Sequence, residues 1–94
     1  MSDLQANSYF DGGVQSVAFE RLGRRMSVGV ISAGEYHFGT DAPERLTVVS
    51  GELEVRDADG AWRPYPAGTV FEVAGSSGFD VRASASSAYY CEYL

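Results

Sequence analysis

Short runs rich in Val, Tyr, Phe and Thr alternate apolar with polar positions, and clusters of Gly, Pro and Asp interrupt them at close intervals. The three-to-four-residue apolar spacing of an amphipathic helix is missing, so the pattern predicts an all-β chain. Nine strands are expected: Val14–Glu20, Met26–Ser32, Tyr36–Thr40, Arg45–Ser50, Glu52–Arg56, Trp62–Tyr65, Thr69–Val73, Gly78–Ala83 and Ala88–Tyr93. Asp59-Gly60, set between Glu52-Leu53-Glu54-Val55 and Ala61-Trp62, marks a hairpin, because glycine tolerates the positive φ of a tight turn. Tyr65-Pro66-Ala67-Gly68 reads as a second turn, in which proline fixes φ and glycine frees it. Ser84 to Ser87 is small and polar and is expected as a loop. Many short strands at this spacing build a sandwich, a jelly roll or a small barrel.

Alternation also assigns faces, since successive strand side chains point to opposite sides. Leu53 and Val55 share one face and are core candidates, while Glu52 and Glu54 meet water. Phe71 and Val73 oppose Val70 and Glu72, and Tyr89, Cys91 and Tyr93 oppose Tyr90, Glu92 and Leu94.

Length and composition narrow the picture. At 94 residues the chain fits one domain, spanning 1–94, with residues 1–8 expected as a flexible N-terminal segment. A chain of this size buries roughly 64% of its extended surface, enough for one modest core. It is 45% hydrophobic and only 21% charged, which excludes a disordered chain. Seven arginines and no lysine face thirteen acids, a net charge of −6 that disfavours nucleic acid and anionic membranes as partners. A pocket of one or two arginines for a small anion stays compatible with that balance. Cys91 is the single cysteine, so no intrachain disulfide forms and the expected location is the reducing cytoplasm. A catalytic thiolate needs an activating partner, and Cys91 is read as a buried structural thiol. The Gly12-Gly13 pair and Gly51 read as turn glycines, since no strand–helix unit surrounds them.

The stretch Gly34-Glu35-Tyr36-His37-Phe38-Gly39-Thr40-Asp41-Ala42-Pro43-Glu44, followed by Gly51, resembles the first cupin motif, and Pro66-x-Gly68 resembles the core of the second. The resemblance implies a cupin double-stranded β-helix, a jelly-roll-like small barrel. It does not extend to the metal. A divalent ion needs three or four converging donors, and His37 and Glu44 fill two places while Gly39 and Phe71 occupy the others. No metal and no cofactor are expected.

A denser set of motifs runs almost end to end: Asn7-Ser-Tyr9-Phe10, Arg25-Met-Ser27-Val28-Gly29-Val30, Gly34-Glu35-Tyr36, Phe38-x-Thr40, Pro43-Glu44, Thr47-Val48-Val49-Ser50-Gly51, Trp62, Tyr65-x-Ala67-Gly68, Phe71-x-Val73 and Tyr89-x-Cys91-x-Tyr93-Leu94. These resemble the small cupin family of pyrimidine/purine nucleoside phosphorylases. The resemblance implies a metal-independent homodimer that uses inorganic phosphate as co-substrate to split purine and pyrimidine ribonucleosides into free base and ribose 1-phosphate.

Phosphorolysis asks for a cation on phosphate, polar groups on ribose, stacking surface for the base and stabilisation of positive charge at the anomeric carbon. Arg25, within the family-like Arg-x-Ser-Val-Gly-Val, is the expected phosphate residue, helped by Ser27, because a guanidinium fork matches phosphate oxygens. Glu44 is the expected catalytic carboxylate, with Thr40 or Thr47 on ribose and Glu35 a weaker alternative. Phe71 and Tyr93 are candidate stacking surfaces. Tyr36, Phe38 and Thr40 share one face and His37 the other; the cupin register turns His37 inward, the phosphorylase resemblance rests on the other three, and both sets are kept. Plainer roles stand beside these: a solvated Arg25, a rim His37, a Glu44 paired with Arg45, and aromatic residues as core. The rival function is a catalytically silent cupin that binds a small ligand or partner in the same cavity.

Overall fold

The computed structural model describes residues 3–57 and 60–94. Its described residues form ten strands: β1 Gln5–Tyr9, β2 Val14–Arg21, β3 Arg24–Ile31, β4 Gly34–Thr40, β5 Glu44–Ser50, β6 Glu52–Arg56, β7 Trp62–Pro66, β8 Val70–Val73, β9 Ser77–Ala83 and β10 Ser87–Tyr93. All nine expected strands are present. The tenth, β1, falls mostly in the segment expected to be flexible, and it pairs along its whole length with β2. Its side chains are polar or small and mostly exposed, so it carries no apolar alternation for a sequence pattern to register.

The strands form two antiparallel sheets, one of six strands in the order β1-β2-β3-β10-β5-β8 and one of four in the order β4-β9-β6-β7. They face each other across a core that includes Val14, Ile31, Leu46, Val48, Leu53 and Val81. Inward positions with a strong apolar alternation follow from the two-residue period: Leu53 and Val55 are buried as their pattern requires, and so are Tyr89 and Cys91. The β6–β7 hairpin forms, with Arg56 opposite Trp62, although Asp59 of its expected turn lies outside the described residues. The Pro66–Thr69 turn closes through the Thr69 amide donating to the Pro66 carbonyl at 3.1 Å.

Two close approaches need glycine. Gly51 adopts φ +81°, and a Cβ there would stand 2.3 Å from Ser87 Oγ. A Cβ on Gly29 would stand 2.4 Å from the hydroxyl of Tyr89, whose ring lies flat over β3 at that point.

Candidate active site between the sheets

A cavity of about 490 Å3 opens between the two sheets, within the ~300–1,000 Å3 range typical of small-molecule sites. The six-stranded sheet lines one side with Ser16, Ser27, Glu44, Tyr89, Cys91 and Tyr93, all inward by alternation on β2, β3, β5 and β10. Phe38 and Phe79 of the four-stranded sheet and Phe71 of β8 supply an aromatic wall. Phe38 stacks on Phe79 with ring centres 5.6 Å apart, and Phe79 meets Phe71 edge-on at 6.3 Å. Tyr9 and Phe10, from the end of β1 and the turn after it, close the side between β1 and β4, and Phe10 packs on Tyr36 and Phe38.

Six of the residues expected from the sequence border this cavity: Ser27, His37, Phe38, Glu44, Phe71 and Tyr93. His37 does so along its strand, while its imidazole points to the opposite face and meets Asp80 at 2.8 Å. Asp80 in turn receives two hydrogen bonds from Arg56. The inward positions of β4 are Tyr36, Phe38 and Thr40, so the register that turned His37 and Gly39 inward is overturned.

The remaining expected residues stand elsewhere. Tyr36 is inward, but its hydroxyl is held by Ser32 Oγ at 2.7 Å and it does not line the cavity. Thr40 donates to the Ala74 carbonyl at 2.6 Å and accepts from the Ser77 amide, which fastens β4 to the turn between β8 and β9. Thr47 points to the outer face of the six-stranded sheet, because Glu44, Leu46 and Val48 take the inward positions of β5. Arg25 is exposed at the start of β3, on the same face as Ser27 and one inward position, about 7 Å, farther along the strand. No arginine lines the cavity among the described residues. Arg45 pairs with Glu72 at 3.0 Å on the outer face, so it is not the partner of Glu44.

The polar chemistry gathers around Glu44. Burial raises its carboxyl above the usual glutamate range, opposed by the Cys91 thiol, which donates to Oε1 at 3.4 Å. Burial, with the neighbouring Glu44 charge, pushes the Cys91 thiol up to about 12, so it stays protonated. Tyr93 is raised by burial, and its hydroxyl lies 3.4 Å from Ser27 Oγ. Glu44, Tyr93 and Ser27 thus put a carboxylate and two hydroxyls close together in the cavity.

The donor set does not fit a metal. Glu44 faces the cavity alone of its kind, His37 points away, and no three His, Cys, Asp or Glu side chains converge among the described residues. Ser16, Tyr89, Tyr9 and Phe10 were missed as site residues. Ser16 sits between inward Val14 and Ala18, a polar residue on an apolar face, which was the available signal.

The sequence profile of the pyrimidine/purine nucleoside phosphorylases matches residues 4–93. The chain belongs to the pyrimidine/purine nucleoside phosphorylase family. A relative from Sorangium cellulosum bearing that family name is 66% identical over 92 residues, covering 97% of this chain and 99% of its own. The crystal structure of a Vibrio parahaemolyticus protein of unknown function superposes with a TM-score of 0.95 at 48% identity, covering 99% of this chain and 100% of that one. A putative ethanolamine utilization protein Q from Salmonella typhimurium superposes at 0.75 with 15% identity, over 99% and 95% of the two chains. That distant likeness shows the fold alone, a cupin double-stranded β-helix. No helix among the described residues is long and apolar enough to cross a membrane.

Proposed function

We propose that this protein is a nucleoside phosphorylase of broad base specificity that works without a metal or cofactor, in the cytoplasm, as a homodimer. Inorganic phosphate attacks C1′ of the ribonucleoside, the glycosidic C–N bond breaks, and the base leaves with the bonding pair and takes up a proton. The products are ribose 1-phosphate and free base. The observation that carries the reading, beside family membership, is the single carboxylate of Glu44 projecting into a cavity walled by Phe38, Phe71 and Phe79.

In that space a negative charge is worth more than in water against the positive charge that develops at C1′. Ser27 and Tyr93 offer hydroxyls for ribose beside it. Arg25, about 7 Å farther out on the same face of β3, is the cation for phosphate at the mouth. The proposal of two copies rests on the outer face of the six-stranded sheet, where Val17, Val28, Val30, Val49 and Val70 are each 41–58% exposed on neighbouring strands.

The test is release of base from inosine and uridine, followed by chromatography with and without phosphate and with EDTA present. Release that needs phosphate and ignores the chelator is expected. No release from any nucleoside would leave the cavity as the binding site of a silent cupin. Arg25→Ala is expected to raise the KM for phosphate sharply, and unchanged phosphate kinetics would remove Arg25 from the site.

A further inference from the structure

Two hydroxyl-bearing residues of the cavity have no task in the proposed reaction. Ser16 and Tyr89 are 9% and 8% exposed, and both line the cavity. Neither side chain makes a hydrogen bond among the described residues, yet no buried side-chain nitrogen or oxygen is sealed off without a partner. Both oxygens are therefore accessible, on side chains that line the cavity. No protein group uses the hydrogen-bonding capacity of either oxygen, so both are free for a polar group that arrives with a ligand.

The sheet register brings the two together. Ser16 on β2 and Tyr89 on β10 are both opposite Gly29 of β3, from its two sides. Because Gly29 has no side chain, the Tyr89 ring lies across it toward Ser16, with the phenol oxygen 2.4 Å from where a Cβ would be. We propose that Ser16 and Tyr89, converging above Gly29, form the subsite that reads the polar edge of the nucleobase.

This inference rests on the phosphorylase reading, and the geometry of displacement gives its direction. The leaving group departs on the side of C1′ opposite the attacking phosphate. Arg25, Ser27 and Gly29 are successive positions on one face of β3, about 7 Å apart, with Arg25 exposed at its outer end and Ser27 and Gly29 buried. Phosphate at Arg25 and ribose at Ser27 and Glu44 send the base inward to Gly29. Phe38, Phe71 and Phe79, which line the same cavity, offer faces for its plane.

A hydroxyl both donates and accepts, and it rotates to suit. Burial raises the Tyr89 phenol far above its ordinary value, so it remains a neutral hydroxyl able to do both. A pair of such groups accepts a carbonyl edge or an amino edge, which a fixed donor or acceptor does not. The subsite thus supplies a physical basis for taking purines and pyrimidines of either kind.

The test uses the full chain with Tyr89→Phe and Ser16→Ala, each checked by its thermal melt. Calorimetry with free hypoxanthine and uracil needs no turnover, so it separates this inference from the fate of the phosphorylase reading. Base binding is expected to weaken about tenfold or more in each variant. In steady-state runs the nucleoside KM rises in step, the phosphate KM stays as in the wild type, and inhibition by ribose 1-phosphate is unchanged. Base binding that is absent from the wild type or equal in the variants would overturn the subsite, as would weakening confined to ribose 1-phosphate. If Tyr89→Phe does not fold, Ser16→Ala decides by the same readings.

Discussion

Glu44 sits where burial and function pull against each other. Its carboxyl is raised in the folded chain, so the native state binds a proton more readily than the unfolded one, and stability falls as pH rises from the ordinary glutamate range through Glu44's own higher value. Glu44→Gln keeps the shape and removes the buried charge. Its melting temperature at pH 8 is expected to equal or exceed that of the wild type, while kcat drops by about 100-fold or more, the cost of losing a positioned electrostatic group. Cys91 makes a second residue-level case. At 2% exposure, with its thiol pushed up to about 12, it is expected to resist a disulfide reagent in the native protein and to react fully in denaturant. A native thiol titrating at the rate of a free one would contradict the Glu44–Cys91 contact. That Cys91 is a buried thiol was legible in the sequence from the lack of a second cysteine or other activating partner nearby, whereas its bond to Glu44 joins positions 47 residues apart and was not.

Among the elements, β4 decides which face of the first cupin-like motif serves the cavity. Strand alternation divides Tyr36, Phe38 and Thr40 from His37 and Gly39, but it does not say which set turns inward; pairing with β9 does, by laying Phe38 against Phe79 and His37 against Asp80. His37→Ala is therefore expected to leave kcat and KM unchanged, and a large loss of activity would return the imidazole to the site. The same variant is expected to weaken the protein toward acid. Asp80 is lowered first by its bond to His37 and then by Arg56, so its contribution is present above the ordinary aspartate range and is lost as pH falls through its depressed value. Without His37 the acid-unfolding midpoint, followed by circular dichroism, moves to higher pH. The edge strand β7 shows a related division of labour. Pro64 and Pro66 lack amide donors and so discourage a further strand from adding there, while the Trp62 ring meets the guanidinium groups of Arg56 and Arg82 at 4.6 and 4.0 Å.

For the whole molecule, the two sheets leave one apolar face uncovered. A second copy on the valine-rich outer face is the expected state, and Val28→Asp at its centre is expected to shift the sedimentation of a dimer to that of a monomer. A wild-type monomer at micromolar concentration would count against it. The 94-residue sequence by itself determined the all-β class, nine of the ten strands and the inward set of each strand with a strong apolar alternation, such as Leu53 with Val55 and Phe71 with Val73. Those are local properties: a period of two and a turn residue act within a few positions of themselves. The tertiary structure alone decided the rest. It turned the polar β1 into an edge strand, directed Thr47 outward and His37 away from the cavity, and committed Thr40 to a turn. It also gathered Ser16, Gly29 and Tyr89 from three strands into one place. Where apolar alternation is weak, as on β4, long-range pairing chooses which face of a strand meets the other sheet, and the sequence of that strand does not contain the choice.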